Sequence, residues 1–366
     1  MNHKERFLAA CEHREADRSP IDYLAHPEAD RRLCEYLEVS TEEELLDALE
    51  CDFYYLPGRD ISQNEGYKPF YIGRDLEETQ SERVCPLGIR WQRGAYDSKF
   101  FVDEVIAGPF EGGATAKDIL GHGWPKAADF DFSPLQEICE THKKRVLIGG
   151  LWTGILGDSY RMYGFQEFLT DMALRPDVIQ TLVDRMTDMY LELNEGVFSL
   201  LKGKMDVWFF GNDFGHQKGL LFSTVMWEDF FLDNIRRLCK HAHGYGLRVM
   251  MHSCGAVSKL IPLLIEAGVD ILDPVQVSAV NMQPDKLKES FGGKIVFHGG
   301  IDTQHILPSG SPEDCREHAR QILKALGTQG GYIFAPSQIY QPDIPVENIV
   351  AVYQVAKEKT NITGGI

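Results

Sequence analysis

Val249-Met250-Met251-His252-Ser253-Cys254-Gly255 is a short apolar run that ends in two metal-ligating residue types and a glycine. Side chains two apart on a strand point the same way, so His252 and Cys254 leave the strand end as a pair aimed at one point. That pair is half a site for a soft or borderline metal, zinc above all. Helical patterns flank the run, Val225–His243 before it and Val257–Ala267 after it, which makes the stretch the strand of one βα unit.

The same rhythm extends in both directions. Strand patterns lie at Arg145–Gly150, Asp206–Phe210, Leu247–Met251, Asp270–Asp273, Lys294–Phe297 and Gly331–Phe334. Helical patterns separate or follow them at Gln166–Leu200 with a break at Pro176, Pro284–Phe291, Pro312–Leu326 and Val346–Lys357. With Ile21–Leu24 and Asp52–Leu56 as the first two strands the count reaches eight, which predicts a (β/α)8 TIM-type barrel in the α/β class. An open doubly wound sheet would need a phosphate-binding turn, and Gly211-Asn212-Asp213-Phe214-Gly215 does not have that spacing. From about Tyr67 to Phe110 short alternating segments between Gly and Pro predict a β-hairpin insertion near residues 67–110, set within one domain over 1–366.

Charge narrows the function. The chain of 366 residues carries 37 Lys and Arg against 55 Asp and Glu, a net charge of −18, and without a basic patch there is no footprint for nucleic acid. The N-terminal residues read as a charged helix rather than a signal peptide, and no apolar run approaches membrane-spanning length. Eight scattered cysteines fit reduced thiols, so the expected location is the cytoplasm, with no membrane association.

In such a barrel, chemistry belongs where the strands end. Those ends offer Trp152 and Thr153, Asn212 and Asp213, His252 and Cys254, Asp273 and Gln276, His298, Asp302 and Gln304, and Ser337 with Gln338. Taken singly, each has a plain structural reading: Asn212 and Asp213 as a helix cap, His252 and Cys254 as a satisfied histidine beside a buried thiol. Their convergence on one mouth is what points to a site. His298 is the first choice to complete a metal site, since neutral imidazole suits zinc, ahead of Asp213, Asp273 and Gln338. Without a metal, Cys254 is a nucleophile with His252 as its base. Tyr160 and Arg161, just after a strand, either recognise a carboxylate or an aromatic ring or begin a helix whose aromatic side packs inside.

At these residues the chain resembles the uroporphyrinogen decarboxylase superfamily, and within it the corrinoid-dependent methyltransferases. The resemblance runs from Arg6-Phe-Leu-Ala-Ala-Cys11 and Ala16-Asp-Arg-Ser-Pro20 through Phe165-Gln-Glu-Phe-Leu169, Arg175-Pro-Asp-Val178, Gly211–Gly215 and His252–Gly255. It continues in Gly268–Gln276, Phe297–Asp302, Gly330–Pro336 and Pro345–Ile349. It implies a TIM-type barrel. Decarboxylases of haem synthesis carry a basic Arg-Gln-Ala-Gly-Arg segment after the first strand, whereas this chain has Leu24-Ala-His-Pro-Glu-Ala-Asp-Arg31, so uroporphyrinogen is not the expected substrate.

In the related methylcobamide:coenzyme M methyltransferases, His-x-Cys and a distant Cys hold zinc that binds a thiol. His252 and Cys254 match the first two ligands, and Ser337-Gln338 stands where the third is expected. The resemblance therefore implies transfer of a methyl group between a methoxy- or methylamine-type small molecule and a corrinoid held by a partner protein. The expected assignment is zinc on His252, Cys254, His298 and Gln338, catalysis by Asp213 and Tyr160, and substrate contacts from Asn212, Arg161, Asp273 and Gln276. The rivals are a decarboxylase of a small carboxylated substrate and a non-catalytic binding barrel.

Overall fold

In a computed structural model, which describes residues 1–63, 65–95 and 101–358, the chain forms a curled sheet of parallel strands wrapped by helices. The strands are β1 (Phe53–Tyr55), β2 (Val146–Gly149), β3 (Val207–Gly211), β4 (Arg248–His252), β5 (Ile271–Val275), β6 (Val296–Ile301) and β7 (Tyr332–Pro336), and each pairs with the next in sequence. β2, β3, β5, β6 and β7 are buried along their whole length. Strands covered on both faces read as continuous apolar runs rather than as alternation, which is why these segments stand out in the sequence.

Residues 20–25 close the ring between β7 and β1. The Phe334 amide donates to the Pro20 carbonyl and the Asp22 amide to that of Phe334, both at 2.8 Å, while on the other side the Asp52 amide donates to the Ile21 carbonyl at 2.7 Å. The predicted eighth strand is thus present as a bridge of one or two residues. Its hold comes from buried Asp52, whose carboxylate accepts from Arg6 Nη1 (2.6 Å), Arg18 Nη1 (2.7 Å) and the Ile21 amide (2.7 Å). The Arg6 and Asp17-Arg18-Ser19-Pro20 motifs are the clamp of the closure.

Helices follow the expected rhythm. Pro176 divides one pattern into Phe165–Leu174 and Pro176–Leu200, because proline fits a first helical turn but not an interior. The longer helix buries Val183, Met186, Tyr190, Leu193 and Val197, the three- and four-residue spacing of one face. The insertion differs from the predicted hairpin. It is a three-stranded antiparallel sheet of Glu82–Val84, Arg90–Ala95 and Phe101–Ala107, and its buried Cys85, Leu87, Ile89 and Trp91 join the core of the barrel. Among the described residues no helix is long and apolar enough to cross a membrane, and all eight cysteines are free thiols.

Candidate metal centre

His252 is the last residue of β4, and the chain leaves the strand through Ser253 and Cys254. As the two-residue spacing requires, the side chains converge: Cys254 Sγ lies 3.2 Å from His252 Nε2. Asp213, just past the end of β3, brings a third donor. Its Oδ1 is 3.4 Å from His252 Nε2 and accepts from the Cys254 amide at 2.9 Å. The donor atoms of Asp213, His252 and Cys254 all lie within 4.8 Å of one another. One sulfur, one imidazole nitrogen and one carboxylate oxygen, with an open side, are a donor set that suits zinc in a reactive rather than a closed site.

The loops that carry these residues meet through glycines. A Cβ on Gly215 would stand 2.7 Å from the Cys254 carbonyl, and Gly255 takes φ +89° against the backbone of Gly215 and His216. Only glycine allows that approach at positive φ, and the Ala256 amide donates to the His216 carbonyl across it (2.9 Å).

Behind the donors sits Asp273 on β5, whose side chain is 9% exposed. Its Oδ2 takes the His252 Nδ1 side at 2.5 Å, which leaves Nε2 facing Cys254 and Asp213. A carboxylate on the far nitrogen fixes the tautomer and raises the basicity of a ligating histidine. Burial disfavours a charged His252, but its interactions with Cys254 and Asp273 outweigh it and hold its pKa well above the ordinary value. For Asp273, burial is likewise outweighed, here by His298 and His252, and its pKa is lowered.

His298 does not join the donors, contrary to the sequence expectation. It lies inside the barrel on β6, with Nε2 2.9 Å from Asp22 Oδ2 and Nδ1 2.6 Å from Asp273 Oδ1, the second approach off the line of a hydrogen bond. Both nitrogens face carboxylates, so the residue braces Asp273. Burial opposes its charge, yet Asp273 and Asp22 push its pKa up to about 9. A folded-state pKa raised above 6.5 contributes stability that is present in full below pH 6.5 and lost as pH rises through about 9. The melting-temperature gap between wild type and His298→Gln should accordingly shrink over that range; a gap that widens with pH contradicts the assignment.

The remaining predicted residues divide. Gln338 reaches the cluster as an amide, Nε2 3.4 Å from Cys254 Sγ. Tyr160 stands near enough to Asp213 to feel its charge; burial first, and Asp213 among the charges, raise its pKa. Arg161 is taken by Asp158 (3.2 Å) and Gln63 (3.0 Å). Asn212 accepts from the Leu156 amide (2.6 Å) and donates to the Thr153 carbonyl (3.3 Å), which braces the loop after β2. Gln276 accepts from the Gly255 amide at 2.7 Å and so supports the Cys254 turn.

Sequence reasoning passed over Asp22, Tyr55 and Arg59. Asp22 joins Tyr55 (2.5 Å) to His298, and Arg59 lies over the Tyr55 and Phe209 rings. Tyr55 ends β1 and Arg59 follows it, the signal that could have found them, whereas Asp22 lies within the first predicted strand. Tyr55 and Arg59 border a cavity of about 860 Å3 that Gln63, Arg93 and Trp152 also line. The Trp152 ring lies 5.6 Å from that of His252. A smaller cavity of about 310 Å3 beside Arg18, Pro20 and Tyr332 lies at the other end of the strands.

Residues 126–359 match the family model described as uroporphyrinogen decarboxylase. The chain belongs to the uroporphyrinogen decarboxylase family. Among its relatives, a methylated-thiol–coenzyme M methyltransferase of Methanosarcina mazei is 26% identical over 140 residues, 38% of this chain and 34% of that protein. A uroporphyrinogen decarboxylase of Magnetococcus marinus is 22% identical over 223 residues, 58% of this chain and 57% of that protein. The matches thus span about a third and just over half of these two relatives. A solved methyltransferase from Methanosarcina mazei superposes with a TM-score of 0.70 at 16% identity, over 98% of this chain and 99% of that one. That agreement bears out the TIM-type barrel of the family.

Proposed function

We propose that this protein is a methyltransferase that moves a methyl group between a small methylated compound of methoxy or methylamine type and a corrinoid held by a partner protein. The observation that carries the reading is the Asp213–His252–Cys254 cluster, backed by Asp273. The relative named as a methylated-thiol–coenzyme M methyltransferase supports it. A zinc ion on this donor set supplies a Lewis acid for the departing heteroatom.

The chain's own residues do the rest. Asp273 orients His252, Gln276 holds the Cys254 turn, and Asp213 ties the loop after β3 to the Cys254 amide. Tyr160, kept in its protonated form by burial, is the proton source for the oxygen or nitrogen that the methyl group leaves. The corrinoid is the second substrate: its reduced cobalt takes the methyl group, and the heteroatom keeps the bonding pair. Gln338 stands where related enzymes are expected to have a cysteine, and Asp213 offers an oxygen donor instead. That harder set favours an oxygen or nitrogen leaving group over a thiol.

The test is to supply reduced cobalamin and follow methylcobalamin by its absorbance across methoxy-aromatic, methylamine and methyl-thiol compounds. Methylation from an oxygen or nitrogen donor supports the reading, and its absence with all three classes overturns it. A separate expectation is that the pure protein does not turn over uroporphyrinogen. Arg31, in the segment where a basic cradle would lie, is held on the surface by Glu28 at 2.7 Å and by Glu35, and a polyanion would meet acids there. Coproporphyrinogen formation from uroporphyrinogen would contradict this.

A further inference from the structure

Arg59 sits in the turn that leaves β1, its backbone pinned by the Trp152 amide, which donates to the Arg59 carbonyl at 2.7 Å. Its guanidinium carbon stands 4.9 Å from the centre of the Tyr55 ring and 5.2 Å from that of Phe209. Nη1 is buried without a hydrogen-bond partner, and among the described residues no carboxylate reaches ion-pairing distance. Burial lowers the Arg59 pKa, with Tyr55 and Asp60 acting in the other direction, but a guanidinium remains a cation. A partly desolvated cation without a directly paired carboxylate is costly, and the aromatic faces repay only part of that cost.

The other charges around this cavity have partners. Arg93 pairs with Glu65 at 2.6 Å, and Asp103 with Arg83 at 2.8 Å. Asp60 accepts from the Ser62 and Gln63 amides at 2.8 and 2.9 Å. Arg161, the sequence-level candidate for a carboxylate contact, is held by Asp158 and Gln63. Arg59 is thus the guanidinium at this cavity that no described carboxylate pairs directly; Asp60, Asp22 and Asp273 act on it only at longer range, and they oppose a dianion. The cation is close to the chemistry: Phe209, whose face it covers, has its ring 6.3 Å from that of His252.

We infer that Arg59 is the anchor for a single carboxylate on the substrate, whose methylated end then lies toward Asp213, His252 and Cys254. The planar fork of the guanidinium matches the two oxygens of a carboxylate, and Tyr55 and Trp152 in the cavity lining offer apolar walls to the body of the molecule between. The substrate class is a methylated monocarboxylate with a flat or compact core. This inference rests on the methyl-transfer reading for its chemistry, but its test measures binding and is independent of turnover.

The probes are benzoate and its uncharged counterpart benzamide, titrated calorimetrically into the full-length protein. Wild type is expected to bind benzoate about 10- to 100-fold more tightly than benzamide, the strength of a charge-assisted hydrogen-bonded pair. Arg59→Gln should bring that ratio close to one, and Arg59→Lys, which keeps the charge without the fork, should fall between. Equal binding of the two probes by wild type, no benzoate binding at all, or an undiminished preference in a folded Arg59→Gln protein would each overturn the assignment. Because the wild-type comparison needs no variant, a poorly folding substitution does not remove the test. Loss of methyl transfer with the acid preference intact would instead count against the proposed reaction alone.

Discussion

Cys254→Ala is expected to abolish stoichiometric zinc binding and to lower methyl transfer on the order of 10²–10³-fold, the scale for removing one strong electrostatic group from a transition state. Cys254 contributes the only sulfur among the clustered donors, and its Sγ meets His252 Nε2 at 3.2 Å. Without it the set is reduced to one imidazole and one largely exposed carboxylate, too few to hold zinc firmly. Asp213→Asn should be milder, since the side chain still accepts from the Cys254 amide while its charge is lost. Metal content by elemental analysis, measured beside the cobalamin assay, decides the matter. Full metal content and full activity in Cys254→Ala would remove the pair from the mechanism even if methyl transfer itself were established.

Asp273→Asn is expected to weaken zinc binding about 10- to 100-fold and to destabilise the fold by about 3–5 kcal/mol. The carboxylate is buried and faces two imidazoles, His252 at 2.5 Å and His298 at 2.6 Å. An amide of the same shape lacks the negative charge and presents an N–H toward one of them. The two effects are read separately, the first by competition with a chromophoric chelator and the second by urea denaturation of metal-free protein. A variant that keeps wild-type stability and zinc affinity would show that the carboxylate neither orients His252 nor balances His298.

The sequence made the barrel legible because strands buried on both faces leave unbroken apolar runs, and helices between them leave three- and four-residue spacing. It made His252 and Cys254 legible because a two-residue spacing at a strand end fixes their direction whatever the surroundings. His298 was misread for the complementary reason. It also follows an apolar run, but β6 continues to Ile301, so the residue lies inside the ring and not on its rim. Where a strand stops decides which of its polar residues face the mouth, and that depends on neighbouring strands that no local pattern records. Arg59 was out of view because its significance lies in what it lacks: a guanidinium shows as unpaired among the described residues only once its spatial neighbours are known. The extra strand of the insertion, Glu82–Val84, is three residues long, too short for alternation to announce it.

The pairing of Ile21 with Phe334 joins segments far apart in sequence, and that has a consequence for biosynthesis. During synthesis, residues 20–25 leave the ribosome long before β7, the strand they must lie beside. Until then the unpaired edges of β1 and of each newly added strand are open to other chains, and contacts so distant in sequence form slowly. The Arg6 and Arg18 contacts to Asp52 join residues that are all made well before β7, so this clamp can hold residues 20–25 against β1 while the later strands are translated. Nascent chains halted before Tyr332 should therefore carry a protected N-terminal segment on an unclosed, protease-sensitive sheet, and charge-neutral changes at Arg6 or Asp52 should lower the yield of soluble protein more than they lower the stability of molecules that have already closed.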